Sequence, residues 1–331
     1  MATFISSLTR PSVSSLSGLL VWTVLSTFVL IALGAWVRVA DAGLSCPDWP
    51  MCYGQWLPFP APEGGYVAEG VTYTLGQVLL EWGHRLLAAI VGFLFIGVLF
   101  QAWCLRHKNS RFFKLALAAF IVLFLQIKLG GLTVILDNVN WSVALHLGNA
   151  IIFYTLLLLL LMAAIRPPKS AGIKAEPLVK TSLWAAPVMV YITMILGAMV
   201  STSHGGGVCG GLFDCAGTWW PADDPIQSLH MLHRYAAFLT LLTAFAVFAA
   251  TRHAAGPLAK TGRIFLIFTL IQGLVGVVVL YSFSHYAWAY QGLSVFHLAW
   301  GTVLYTVALT GVVKLYWGTK DPNAKTLPGH P

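Results

Sequence analysis

The tetrapeptide GAWV at residues 34–37 is followed by a cysteine pair, and this arrangement occurs twice in the chain. It returns as GAMV at residues 197–200, again followed by two cysteines. Two histidines then follow in the same order, the first before an arginine and the second before a leucine. The repeated set is Cys46, Cys52, His84 and His146 in the first half, and Cys209, Cys215, His233 and His297 in the second. Such a repeat predicts two equivalent cofactor sites in two similar units.

The composition is that of a membrane protein. Hydrophobic residues make up 58% of the 331 residues and charged residues only 9%, which is too few to cover a soluble surface. A helix of about 20 apolar residues crosses a bilayer. The predicted fold class is an all-α integral membrane protein with eight transmembrane helices in two pseudo-symmetric four-helix bundles. The predicted spans are residues 17–40, 78–104, 113–136, 142–165, 181–202, 227–251, 262–283 and 289–315.

The distribution of charge predicts the orientation of these spans. Basic residues concentrate at the N-terminus, in the even-numbered connections and in the C-terminal tail, whereas acidic residues occupy the opposite connections. By the positive-inside rule, both termini are cytoplasmic. The expected location is the inner (plasma) membrane of a cell. The net charge of +8 follows from this asymmetry, so no nucleic-acid partner is expected. Residues 1–18 match a cleavable signal poorly and support a mitochondrial location only weakly.

The chain divides into two domains, residues 1–172 and 173–331, within a proline-containing segment at residues 167–177. Each domain has four spans, so both have the same orientation and are related by an axis along the membrane normal.

Four of the five cysteines lie in two loops on the outer side of the membrane. An oxidising compartment favours disulfides, so we expect Cys46–Cys52 and Cys209–Cys215 to form within their loops. Each bridge is either a structural staple or a redox-active dithiol, and the sequence leaves both roles open. The spacing is not that of a covalent c-type haem site. Cys104 has no partner and is interpreted as a small apolar residue.

The four repeated histidines lie just inside the outer ends of spans 2, 4, 6 and 8. Ionisable residues at membrane depth are costly, and four of them at one depth indicate a function. The alternative is that each histidine only forms a hydrogen bond between helices. Two imidazoles per half are too few for a protein-only zinc or copper site. They suit haem, whose macrocycle supplies four nitrogens and needs only axial ligands, so His84, His146, His233 and His297 are predicted iron ligands.

Two features beside the histidines complete the predicted sites. Arg85 and Arg234 follow a histidine at the outer end of a span, where each pairs with a haem propionate or extends to lipid headgroups. Glu81 precedes His84 by one helical turn, whereas His230 occupies the matching position in the second half. This difference suggests one catalytic site and one electron-transferring site. The alternative is that Glu81 only accepts a hydrogen bond from Arg85 or a loop amide.

Together these motifs resemble the haem A synthases of bacteria and mitochondria. The resemblance rests on GLSCPDWPMC at residues 43–52, on EWGHR at residues 81–85, and on the His-Arg and His-Leu pairs of the repeat, and it covers nearly the whole chain. It implies an enzyme that oxidises the C8 methyl of haem O to the formyl group of haem A by successive hydroxylations, for haem-copper terminal oxidases. It also implies a haem O synthase that supplies the substrate.

The same resemblance implies roles for individual residues. His84 and His146 take the substrate haem in the first half, and His233 and His297 hold a haem b in the second. Glu81, Cys46 and Cys52 are implied to be catalytic. His230 is an additional histidine beside the second site, and the shared His-Arg pair favours His233 over it as the ligand.

Two other functional classes contain part of this pattern. A di-haem cytochrome b-type quinol oxidoreductase explains the four histidines but not the cysteine pairs. A membrane thiol-disulfide oxidoreductase explains the cysteines but leaves the histidines without a role. Membrane lipid is an expected partner, whereas the electron donor or acceptor and assembly into a homo-oligomer are left open.

Overall fold

The computed structural model describes residues 11–165, 173, 175–254 and 256–317. Within them, eight helices are long and apolar enough to cross a membrane, which confirms the predicted multi-pass all-α membrane fold. A 3₁₀ turn at Gly205–Gly207 and the strand pair β1 (Val67–Ala68) and β2 (Val71–Thr72) lie in the connections. The helices are α1 (Val13–Val39), α2 (Leu75–Cys104), α3 (Ser110–Ile135), α4 (Asn140–Ile165), α5 (Pro177–Thr202), α6 (Pro225–Thr251), α7 (Gly256–His285) and α8 (Ala287–Trp317).

Several helices begin a few residues before the predicted apolar spans because polar caps lie outside the hydrophobic stretch. Ser12 caps α1, where its hydroxyl oxygen accepts a hydrogen bond from the Ser15 amide at 3.0 Å. Thr74 caps α2 in the same way, with the Gln77 side chain bonding back to the Thr74 amide. Asp224 caps α6. These side chains satisfy amide groups that a helix leaves unpaired at its start.

The four helices at the centre of the molecule are α1, α4, α5 and α8. Half of the most apolar window of α4 and of α8 is buried, compared with 11% for α3 and for α7. Consecutive helices pack as hairpins, and the halves meet where α1 contacts α8 and α4 contacts α5. These two contacts are equivalent under the repeat, because α1 corresponds to α5 and α4 to α8.

Hydrogen bonds across the centre follow a reciprocal pattern. The Tyr305 hydroxyl lies 2.8 Å from the Thr155 hydroxyl, and the Thr306 hydroxyl donates to the Tyr154 hydroxyl at 3.3 Å. When His146 is aligned with His297, residues 154 and 155 correspond to residues 305 and 306. Reciprocal contacts of this kind arise around a two-fold axis, and the pseudo-symmetry of the halves stays a prediction.

The predicted domain boundary at residue 172 falls outside the described residues. The same holds for part of the charged set that predicts orientation, namely Arg10, Arg166, Lys169, Lys174, Lys320 and Lys325. The described helices nevertheless place the two disulfide loops at one end of the bundle and the α2–α3 connection at the other, because the chain reverses at each connection.

Reporter fusions test the orientation of this bundle. Alkaline phosphatase fused after Lys108 is expected to be inactive, and fused after Thr218 to be active, because the enzyme matures only outside the cytoplasm. A fluorescent protein that folds only in the cytoplasm serves as the matched control and should give the opposite pattern. Phosphatase activity at Lys108 with fluorescence at Thr218 would invert the orientation.

Candidate functional site

The first histidine of each half lies against a glycine of the preceding helix. A Cβ atom built on Gly34 of α1 would lie 3.0 Å from Cε1 of His84 on α2. A Cβ built on Gly197 of α5 would lie 2.9 Å from Cε1 of His233 on α6. Protein interiors are closely packed, so a larger residue at either position would displace the imidazole.

The second histidine of each half has the same arrangement. A Cβ built on Gly130 of α3 would lie 3.2 Å from Cε1 of His146 on α4, and one built on Gly276 of α7 would lie 3.1 Å from Cε1 of His297 on α8. All four imidazoles therefore occupy space that an absent side chain leaves open on the neighbouring helix. We refer to these four contacts as the Gly–His pairs.

Two glutamines add a second repeated contact. Nε2 of Gln126 lies 3.2 Å from both ring nitrogens of His146 and donates to the His146 carbonyl at 3.1 Å. Nε2 of Gln272 lies 3.3 Å from both ring nitrogens of His297 and donates to its carbonyl at 3.1 Å. Neither glutamine stands out within one half of the sequence. The signal for them is the Gln-x₃-Gly spacing, which occurs in both halves.

The structure brings the predicted histidines together in pairs within each half. His84 and His146 are close enough to interact electrostatically, and so are His233 and His297. His230 also lies near His233, one helical turn before it, but its imidazole hydrogen-bonds to the backbone of Gly205 in the outer loop. The placement of His233 over Gly197 and beside His297 makes it the better candidate ligand of the two.

The residues present fit a haem in each half. Two imidazoles are the protein donors that such a group requires. In the described part of the chain, no three His, Cys, Asp or Glu side chains come together as a protein-only metal site would need. Nδ1 of His84 is buried without a hydrogen-bond partner, and Nδ1 of His233 lies 3.1 Å from the Thr193 carbonyl oxygen. A hydrogen bond between Nδ1 and a backbone carbonyl orients an imidazole and leaves its Nε2 available to bind a metal.

Both expected disulfides are present. Cys46–Cys52 and Cys209–Cys215 have sulfur–sulfur distances of 2.00 and 1.98 Å, and each closes a loop with a Cα–Cα distance of 4.7 Å. All four cysteines are fully buried. The loops therefore fold over the outer ends of the two histidine pairs as compact units.

Arg85 and Arg234 hold these loops in place. Arg85 donates to the carbonyl oxygens of Cys46, Met51 and Asp48. Arg234 donates to the carbonyl oxygens of Cys209, Gly211 and Asp214. Contact of either arginine with a haem propionate stays a prediction, and in this structure the guanidinium groups bind loop backbone.

Glu81 is buried beneath the first disulfide loop. Its Oε1 accepts from Arg85 at 2.6 Å, and its Oε2 accepts from the Ser45 hydroxyl at 3.0 Å and from the Cys46 amide at 2.9 Å. The side chain is only 5% exposed. The carboxylate is thus held in one orientation, one helical turn from His84, and it makes both contacts of the structural alternative, to Arg85 and to a loop amide.

Aromatic residues cover the first disulfide but much less of the second. Tyr66 packs on the Cys46–Cys52 bridge with Tyr53 and Tyr73 beside it. Burial raises the pKa of the Tyr53 and Tyr73 phenols, and the nearby Glu81 charge raises both further. Around the second bridge, the described neighbours are Met231, Val208 and Tyr235.

Comparison with known proteins agrees with this geometry. A family model described as COX15-CtaA, cytochrome oxidase assembly protein, matches residues 17–309. The chain belongs to this family. It is 26% identical over 294 residues to the heme A synthase of Shouchella clausii, covering 86% of this chain and 92% of that protein. It is 28% identical over 298 residues to the heme A synthase of Shewanella oneidensis, covering 80% and 88%.

A third relative, the heme A synthase of Symbiobacterium thermophilum, is 28% identical over 217 residues, which cover 63% of this chain and 66% of that protein. The resemblance seen in the sequence is therefore confirmed, and the chain is a membrane oxidoreductase of the haem A synthase family.

Valine substitutions at two glycines of α7 test the importance of the Gly–His pairs. Gly276→Val places branched carbons where the His297 imidazole lies, so we expect the second half to lose its haem while the histidine pair of the first half is undisturbed. Gly273→Val is the matched control, because a Cβ built there meets no atom within 4 Å. Overpacking costs about 1–3 kcal/mol and applies only to the first variant. Equal haem content in the two variants, measured by pyridine haemochrome, would contradict the role of Gly276.

Proposed function

We propose that this protein oxidises the C8 methyl of haem O to the formyl group of haem A by successive hydroxylations, for assembly of haem-copper terminal oxidases. Membership of the family and the names of its relatives support haem A synthesis. The observation that carries the finer assignment is the chemical difference between the halves. Glu81 lies beside the histidine pair of the first half, and a histidine replaces it in the second.

The two histidine pairs receive different haems in this proposal. His84 and His146 hold the substrate haem O, and residues 1–172 form the substrate half. His233 and His297 hold a resident haem b, and residues 173–331 form the haem b half. The equivalence of the Gly–His pairs supports iron ligation in both halves, since each imidazole has the same close backing.

Glu81 acts on the reacting carbon through its charge and position. When bound, haem supplies the redox chemistry. The chain orients the substrate through His84 and His146, and it aims a carboxylate that Arg85, Ser45 and Cys46 already hold. A preorganised carboxylate stabilises positive charge that develops at the methyl carbon, without reorganisation at the moment of reaction.

The first disulfide loop belongs to this site because the backbone amide of Cys46 contacts Glu81. The Cys46 amide donates to the carboxylate, so a change at the Cys46–Cys52 bridge alters the hydrogen bonding of Glu81. This contact supports a catalytic role for Cys46 and Cys52. The second disulfide lies beneath Arg234 and beside Met231, with a structural role.

The proposed setting is the plasma membrane, with both termini in the cytoplasm. Haem O carries a long isoprenoid tail, so the substrate passes from its synthase to this enzyme within the bilayer. Oxidation of the methyl group also requires an electron donor or acceptor, which meets the protein at the haem b half. No contact with nucleic acid is part of the proposal.

The variant Glu81→Gln tests the catalytic assignment. It keeps the shape of the side chain and loses the negative charge, so haem A formation should fall about a hundredfold, the scale of one lost electrostatic contact in a transition state. Chromatography of extracted haems should show haem O or its hydroxylated product accumulating. Normal amounts of haem A would make the carboxylate structural.

Ser45→Ala is the control for loop structure. It removes one hydrogen bond to Glu81 while the carboxylate and the Arg85 contact remain. We expect it to lower activity far less than Glu81→Gln. Equal losses in the two variants, with the first disulfide absent from peptide maps of both, would mean that Glu81 acts by holding the loop.

Variants of the second half test the haem b assignment. His233→Ala and His297→Ala should each lower the haem b content of the purified protein and shift its α-band, because one axial ligand is lost. His230→Ala should leave both unchanged. Loss of haem b from His230→Ala with retention in His233→Ala would reverse the choice of ligand.

A further inference from the structure

A cavity with both charged and aromatic lining lies between the two halves, at the end of the bundle that carries the disulfide loops. Its volume is about 160 Å³. The first half contributes residues that follow the end of the GAWV motif, and the second half contributes residues from α5, α7 and α8. The side chains and backbone that line it belong to Arg38, Asp41, Ser201, His204, Phe283 and Tyr290.

Helical spacing relates this cavity to both histidine pairs, since Arg38 follows Gly34 by four residues, and the hydrogen bond of Arg38 to the Ser201 carbonyl directs its guanidinium to the second half. Ser201 follows Gly197 by four residues, and Phe283 follows Gly276 by seven, so each lies on the same helix face as the glycine that backs a histidine. Tyr290 precedes His297 by seven residues on α8. At a rise of 1.5 Å per residue, the cavity lies about 6–10 Å from the Gly–His pairs toward the outer surface.

Arg38 is the cationic residue that the first half contributes to this cavity. Its guanidinium donates to the Ser201 carbonyl at 2.7 Å and to Asp41 Oδ1 at 2.8 Å, and it lies 3.3 Å from Nε2 of His204. The arginine side chain is 17% exposed, whereas that of Asp41 is 64% exposed. Such a solvated ion pair is weak and leaves the guanidinium able to bind a second carboxylate.

Arg85 and Arg234, the two arginines predicted to pair with haem propionates, bind loop backbone in this structure. Arg85 and Arg234 each donate to several backbone carbonyls of a disulfide loop. Arg38 donates to a single backbone carbonyl, and it lines a cavity. Its partner carbonyl belongs to Ser201, the matching position of the repeat, 163 residues along the chain.

We propose that Arg38 of the first half binds a propionate carboxylate of the haem held by His233 and His297 in the second. The contact joins the halves across their interface, so the charge of the substrate half contributes to the electrostatics of the other haem. Asp41 weakens this propionate contact, because its own carboxylate competes for the Arg38 guanidinium. This inference rests on the proposed haem b half.

Binding of haem with and without free propionates tests the contact directly. The full-length protein is purified in detergent after growth without haem supply, and titrated with haem b or with its dimethyl ester, which lacks the carboxylate charges. Arg38→Gln should weaken binding of haem b by about tenfold or more, the scale of a charge-assisted hydrogen bond. It should leave binding of the ester unchanged. Equal losses for both ligands, or none for either, would overturn the proposal.

The reduction potential of the bound haem supplies a second readout. Loss of a positive charge near a propionate favours the oxidised iron, so Arg38→Gln should lower the potential while the α-band of the bis-histidine haem persists. Asp41→Asn should raise it, and Arg38→Lys should retain most of the wild-type value. Arg106→Gln is the control, because Arg106 lies over Trp103 at the opposite end of the bundle. An unchanged potential in both Arg38→Gln and Asp41→Asn would refute the contact.

The two experiments also separate the inference from the function on which it rests. If the wild-type protein binds no haem b, or binds it equally after replacement of His233 and His297, the proposed haem b half is wrong. If wild-type binding depends on those histidines and Arg38→Gln leaves the affinity and the potential unchanged, only the propionate contact is wrong. If Arg38→Gln does not fold, the potentials of Arg38→Lys and Asp41→Asn decide.

Discussion

The close approach of a glycine backbone to an imidazole ring is the contact on which the rest of the structure depends. It occurs four times, once for each repeated histidine, always between an odd-numbered helix and the helix that follows it. The absence of a side chain lets the two helices of a hairpin pack closely at the depth of the histidine. That packing fixes each histidine against its own hairpin. It places the disulfide loops over the outer ends of the two histidine pairs.

The two halves share the Gly–His pairs and differ in the residue that lies one helical turn before the first histidine. Arg85 and Arg234 hold the two loops through equivalent contacts with backbone carbonyls, so the loop anchor is conserved by the repeat. Glu81 has no equivalent in the second half, where His230 lies against the loop backbone instead. A common scaffold with one added carboxylate is consistent with a division into a reacting site and an electron-transferring site. The hydrogen bonds from Arg85 and Cys46 make Glu81 both an anchor of the loop and a candidate for catalysis.

Much of this structure could be predicted from the sequence because the deciding signals are local. Long apolar stretches define the eight helices, and cysteines a few residues apart close loops that can hardly pair otherwise. The helix starts were less accurate, since Ser12, Thr74 and Asp224 act as caps outside the apolar stretches. The Gly–His pairs, the Gln126 and Gln272 contacts and the cavity around Arg38 depend on residues that are distant in the chain. Comparison of the two halves of the sequence reveals the spacings behind the Gly–His pairs and the glutamine contacts. It gives no signal for the cavity, because Ser201 occupies the position of Arg38 in the second half.

The central claim is that one histidine pair holds a resident haem b and the other receives the substrate haem. Quantitative pyridine haemochrome analysis of the purified wild-type protein, combined with chromatography of the extracted haems, tests it most directly. The expected result is haem b together with haem O or haem A in comparable amounts, because the two sites differ in occupant. Haem b alone at two per chain would indicate a di-haem cytochrome, and a protein that carries no haem would leave the histidine pairs without the role assigned to them.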